Sequence, residues 1–215
     1  MAERDIFWPG NKRALVAILR GIRPSEVAAM TEMLIDEGIT SIEVPLNSPD
    51  PFQSIETAIA IAGDRALIGA GTVLTVEDVD RLSDIGGQLV VSPNTDPDVI
   101  RRSVALGMVS MPGVFTPSEA LLAHKSGASA LKFFPASALG VSGISASRQF
   151  CRKKHLSALL AVFPMLRSAT ISRSVCAPSV LGRAYTGLVM HSTLFASGLA
   201  RPSKPMIAPP QTELH

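Results

Sequence analysis

Short apolar runs recur every twenty-odd residues through the first two-thirds of this 215-residue chain, and a glycine precedes most of them. The runs are Ala14 to Leu19, Ser41 to Leu46, Ala66 to Ala70, Gln88 to Ser92, Met108 to Met111 and Ala130 to Phe134. Unbroken apolar runs of this length read as strands buried on both faces, the condition of a parallel sheet covered by helices. The intervals carry helix-start signals: Ser25 before Glu26, Thr75 with Asp78, and Thr116 with Glu119. Gly38, Gly63, Gly86, Gly107 and Gly127 stand where a left-handed residue would end each helix. Six consecutive βα units fit an α/β fold of the (β/α)8 TIM-barrel type better than a doubly wound sheet, although periodicity alone leaves the second open.

Composition narrows the setting. With 47% of its residues apolar, the chain can bury a sizeable core without metal or disulfide staples. The N-terminal residues lack the basic start and apolar stretch of a signal peptide, and charges, glycines and prolines interrupt every apolar run before membrane-spanning length. The expectation is a cytoplasmic protein with no membrane partner. Cys151 and Cys176 lack metal-type spacing and read as inert thiols.

The βα rhythm stops near Gly143, which divides the chain into residues 1–144, the first six units, and residues 145–215. The second stretch holds one acidic residue, Glu213, against a run of basic ones from Arg148 to Lys204. A solvated basic tail or a nucleic-acid arm would each account for that charge. The tail lacks the interleaved aromatics of a base-stacking surface, so no nucleic-acid partner is expected. A barrel that stopped after six strands would leave open edges; the last two units are expected to be lost or disordered.

Within the repeats, two ionisable residues sit inside apolar strands. Lys132 interrupts Ala130-Leu131-Lys132-Phe133-Phe134, and Glu43 interrupts Ser41-Ile42-Glu43-Val44. Burial lowers a lysine's pKa and makes its amine nucleophilic toward a carbonyl; burial raises a carboxyl toward neutrality, where it can shuttle protons. A lysine snorkelling at a strand end and a structural ion pair are the plainer readings of each alone. Two such groups in separate buried strands favour a site. Arg20 follows the first strand, where barrel sites are built, and a guanidinium there can grip a carboxylate. Thr72 follows the third strand within Gly69-Ala70-Gly71-Thr72, whose glycines let a substrate approach the backbone; the third glycine of a dinucleotide fingerprint is missing. His124 reads as a surface or packing residue on a helix.

Taken in order, Ala17-Ile18-Leu19-Arg20-Gly21, Glu43-Val44-Pro45-Leu46-Asn47-Ser48-Pro49, Gly69-Ala70-Gly71-Thr72-Val73, Ser92-Pro93-Asn94, Met111-Pro112-Gly113 and Leu131-Lys132-Phe133-Phe134-Pro135 resemble the KDPG/KDPGal aldolases. Asn47-Ser48-Pro49 is similar to the phosphogalactonate branch; the phosphogluconate branch typically has arginine at the place of Asn47. The resemblance implies a (β/α)8 barrel, a homotrimer, and a class I aldolase without metal or cofactor. It would cleave 2-dehydro-3-deoxy-6-phosphogalactonate, a phosphorylated 2-keto-3-deoxy sugar acid, to pyruvate and D-glyceraldehyde 3-phosphate. By the same resemblance Lys132 forms the imine, Glu43 is the general acid/base, Arg20 and Thr72 hold the carboxylate, and Pro93 and Phe134 shape the pocket. The alternatives are the phosphogluconate epimer as substrate, or an inactive aldolase-like protein.

The family continues with a Gly-Gly turn after the seventh strand and a Gly-x-Gly-Ser-like turn after the eighth, and residues 145–215 show neither. A shift of reading frame near codons 144 to 149 would explain the loss. Permitted codons for Gln149 to His155, regrouped by one base, spell VLPEET; those for Ala158 to Met165 spell AVGGVSD. Val180 to Met190, with a G base before its first codon, then yields GLGSSLYRPGY, and Pro202 to Ile207 yields VEAYD. Four family-like segments thus emerge in order from one shift direction, and the scarcity of acids and the lost rhythm follow from the same event.

Overall fold

A computed structural model describes residues 15–148, 158–161 and 186–191. Each expected apolar run forms a strand: β1 (Leu15–Ile18), β2 (Ser41–Pro45), β3 (Leu67–Gly71), β4 (Leu89–Val91), β5 (Val109–Met111) with its continuation β6 (Gly113–Val114), and β7 (Ala130–Phe133). Between them lie α1 (Pro24–Asp36), α2 (Pro51–Ala62), α3 (Val76–Asp84), α4 (Pro97–Ala105) and α5 (Pro117–Lys125); α6 (Ala136–Arg148) follows β7. All five expected glycines take positive φ. Thr75 Oγ1 accepts the Asp78 N–H at 3.1 Å, and Thr116 and Glu119 cap each other reciprocally at 3.2 and 2.7 Å. The start of α1 lies earlier than Ser25: Pro24 supplies the preset first-turn φ, and the Arg23 N–H donates to Glu26 Oε2 at 3.1 Å.

The strands are all parallel, in the order β5-β4-β3-β2-β1-β9-β8-β7-β6, where β8 is Ala158–Ala161 and β9 is Thr186–His191. Only Pro112 separates β5 from β6, because proline has no N–H for the ladder. The backbone runs on past it: Ser129 N–H donates to Ser110 O and Lys132 N–H to Pro112 O, each at 2.9 Å. β5 and β6 are therefore two pieces of one stave, and the ladder returns to its own start as a closed barrel of eight staves. The expectation that the last two units are lost is corrected as far as their strands go. β8 pairs with β7 from Ala130↔Ala158 to Phe133↔Ala161, and β9 pairs with β1 from Leu15↔Leu188 to Ile18↔His191. The physical reason is the edge: unpaired N–H and C=O groups along β1 and β7 recruit whatever segments can extend beside them. The remainder of 149–215, with Cys151, Cys176 and the Pro-rich stretch, lies outside the described residues.

Alternation along each strand sends successive side chains to opposite faces. Outward residues such as Ile42, Val44, Ile68 and Val90 pack against Val27, Leu34, Ile55 and Leu82 of the helices. Leu131 and Phe133 do the same with Ala120 and Ala123 of α5. Inward residues Val16, Ile18, Leu89, Val91, Val109, Met111 and Ala130 fill the barrel. No helix among the described residues is long and apolar enough to cross a membrane.

Candidate active site

Strand parity decides where the two buried ionisable groups point. Glu43 is register partner of Ile18 on one side and Gly69 on the other, and partners in a parallel ladder share a face. Ile18 belongs to the barrel interior, so Glu43 does too. Lys132 lies two residues after Ala130, another interior residue, and pairs with Gly113. Both side chains thus enter the barrel from strands on opposite sides of it. They are almost fully buried, with 2% and 6% of their surfaces exposed.

Burial then sets their protonation. Loss of hydration pushes the Glu43 carboxyl up to about 7, opposed by the positive charges of Lys132 and Arg20. The same loss of hydration holds the Lys132 amine below the usual lysine range; the Glu43 charge works against this and Arg20 works with it. Each group registers the other's field, and Arg20 registers in both. Glu43 Oε2 has no hydrogen-bond partner among the described residues. The arrangement offers a nucleophilic amine beside a carboxyl that can both give and take a proton near neutral pH.

The rim above this pair is built from residues that follow the C-terminal ends of the strands, the end at which TIM-barrel sites lie. Half-buried Arg20 follows β1, and its Nη1 donates to Asn47 Oδ1 at 2.8 Å, joining the loop after β1 to the loop after β2. Beneath that bond the Gly21 N–H donates to Ser48 Oγ at 3.0 Å. Thr72 follows β3 with φ at 58°, a left-handed conformation rare for a β-branched residue. Pro93 follows β4 and is half-buried, while the ring of Phe134, after β7, lies 5.1 Å from Lys132 Nζ. The structure thus brings Lys132, Glu43, Arg20 and Phe134 into one electrostatic neighbourhood, with Thr72 and Pro93 on the same rim. His124 is half-buried on α5, outside the barrel. The sequence marked Asn47 as a branch feature; its hydrogen bond to Arg20 spans 27 residues and has no local signal.

Comparison with known proteins bears on the family and the fold. The family model described as KDPG and KHG aldolase matches residues 11–153. A "Probable 2-dehydro-3-deoxy-6-phosphogalactonate aldolase" of Rhizobium meliloti (strain 1021) is 61% identical over 140 residues, which are 65% of this chain and 66% of that protein. The 2-dehydro-3-deoxy-6-phosphogalactonate aldolase of Escherichia coli (strain K12) is 51% identical over 136 residues, 63% of this chain. The matched stretch spans 66% of the length of each relative. A solved structure described as "Native KDPGal structure" superposes with a TM-score of 0.78 and 41% identity, covering 90% of this chain and 89% of that one.

Proposed function

This chain belongs to the KDPG and KHG aldolase family, and from that premise we propose that it is a class I aldolase cleaving 2-dehydro-3-deoxy-6-phosphogalactonate to pyruvate and D-glyceraldehyde 3-phosphate. The observation that carries the proposal is the buried lysine and the buried carboxyl facing each other inside one barrel, each in the other's field. The neutral Lys132 amine attacks the substrate's keto carbon. Glu43 delivers a proton to the carbinolamine oxygen, water leaves, and a cationic imine remains. Glu43, now a carboxylate, takes the proton of the C4 hydroxyl, and the C3–C4 bonding electrons pass into the imine. The aldehyde departs, the enamine takes a proton at C3, and water releases pyruvate. The face of the Phe134 ring near Nζ favours the cationic imine.

Arg20, held by Asn47, takes the substrate carboxylate with Thr72. Pro93 and Phe134 bound the pocket on either side. The relatives named for the phosphogalactonate substrate support that epimer, as does Asn47 in place of an arginine. A cleavage assay with both epimers tests the choice: faster turnover of the phosphogluconate would overturn it. The protein would work as a homotrimer in the cytoplasm.

An impaired aldolase is the second reading, favoured by the absence of a Gly-Gly turn from residues 145–215. On this reading the stretch is a frame-shifted version of the last two βα units, and the family match ending at residue 153 supports it. Sequencing codons 140 to 155 decides between an intact frame and a shifted one. The chain as written would be poorly soluble or nearly inactive, and restoring the regrouped frame would raise kcat/KM; equal turnover by both forms would overturn the impairment.

A further inference from the structure

Two glycines of β3 face the barrel interior, Gly69 and Gly71, and what each makes room for is different. A Cβ at Gly69 would overlap the backbone of Leu89 in the neighbouring strand, so that glycine serves the packing of the sheet. At Gly71 the three nearest atoms to a built Cβ all belong to one carboxylate: Glu43 Oε2 and Cδ would overlap it, and Oε1 would stand at 2.7 Å. Nothing else crowds the position more closely. The register explains the encounter. Glu43 is level with Gly69, and its side chain leans along the strand direction toward the barrel mouth, which brings its carboxylate over the next inward residue of β3.

We propose that Gly71 is a positioning residue for Glu43: by lacking a side chain it seats the Glu43 carboxylate against β3, with Oε2 held in reach of the imine carbon's substituents. This rests on the aldolase reading above and adds to it. The oxygen nearest the missing Cβ is the one with no hydrogen-bond partner among the described residues. Among the described residues no donor pins Oε2, so shape must place it. A glutamate has three rotatable bonds, and one that is 2% exposed has few other places to put its carboxyl group. The backbone of β3 acts as the floor of that slot. A methyl group on the floor would lift the carboxylate, while the strand itself would stay, because the group that yields is the end of a side chain.

Gly71→Ala in the full-length chain therefore leaves the nucleophile in place and displaces the acid/base group. Borohydride should still trap pyruvate on Lys132, because the amine is untouched, although the adduct should form more slowly since Glu43 also protonates the carbinolamine oxygen. Exchange of the pyruvate methyl protons with deuterium from solvent should slow by roughly 100-fold, the lower range for a displaced acid/base group. Adding Glu43→Asp, one methylene shorter, should recover about tenfold of that exchange over the single variant, whereas Glu43→Asp alone should slow exchange in the parent. Parent-like exchange in Gly71→Ala, or no recovery in the double variant, would overturn the inference.

A thermal-unfolding cycle over the same four chains keeps the seat testable apart from the chemistry. Gly71→Ala should lower Tm, and Glu43→Asp should cancel much of that loss; strictly additive losses would show that the two residues do not share the space. A parent that fails to trap pyruvate while showing this coupling would sink the aldolase reading and leave the seat standing.

Discussion

The outer and inner faces of the same strands obey different rules. On β2, Ile42 and Val44 point outward into the helices while Glu43 points inward; on β3, Ile68 and Ala70 point outward while Gly69 and Gly71 point inward; on β7, Leu131 and Phe133 flank Lys132. The outer face is continuous aliphatic surface, and each fully buried aliphatic side chain there contributes roughly 1.5–3 kcal/mol. The inner face is apolar at Val16, Ile18, Leu89, Val91, Met111 and Ala130, and a carboxyl, an amine and two bare glycines interrupt it on β2, β3 and β7. One face stabilises the barrel; the other gives up part of that stabilisation to bury a carboxyl and an amine. This is the expected trade at a site whose groups are buried against their preferred charge states.

Removing a buried ionisable group from the inner face should therefore damage activity while sparing or raising stability, and the largest effect belongs to Lys132. Lys132→Met should abolish imine formation and lower cleavage by about 10⁴-fold or more, the scale of removing a covalent nucleophile. Its Tm should not fall, since the buried amine is replaced by an apolar chain of similar length. A clear drop in Tm in a calorimetric scan would mean that the amine is structural.

Glu43→Gln comes next, with an expected loss in kcat of roughly 10²- to 10⁴-fold. It also has a signature in stability. The folded carboxyl titrates near 7 against an ordinary value of 4.5, so the folded chain binds more protons than the unfolded chain between these values. The contribution of Glu43 is then fully present below pH 4.5 and is lost as pH rises through 7, by roughly 3 kcal/mol in all. Denaturant titrations across that window should show the decline in the parent and a flatter profile in Glu43→Gln. Identical slopes would contradict the buried, uncharged acid.

An outer-face change should invert the pattern. Ile42→Ala should cost about 2–5 kcal/mol of stability through the cavity it leaves, with turnover per folded molecule near that of the parent. Thr72→Gly has the smallest expected effect on the fold. Relieving a left-handed β-branched residue should stabilise by about 1 kcal/mol, while KM for the keto acid rises through loss of the hydroxyl. A destabilised Thr72→Gly would show that this backbone carries no strain.

The first six units were legible because each apolar run is long enough to mark a buried strand and Thr75 and Thr116 announce the helices that follow two of them. Lys132 and Glu43 stood out for the same reason, as charges interrupting runs that otherwise have none. Ala158–Ala161 and Thr186–His191 were not legible: four or six residues without flanking turn signals read equally as helix or strand, and only pairing with β7 and β1 makes them strands. The tie between Arg20 and Asn47 and the seat that Gly71 provides were hidden because both depend on which loops and strands become neighbours. Registers such as Glu43↔Gly69 are set by closure of the barrel.

The central claim is that Lys132 is the amine that bonds to the keto substrate. Borohydride reduction in the presence of pyruvate, followed by peptide mass spectrometry, tests it most directly. A single reduced adduct on Lys132, absent from Lys125 and from the Lys132→Met variant, is the predicted result. Efficient substrate cleavage with no adduct, or with the adduct on another lysine, would contradict it.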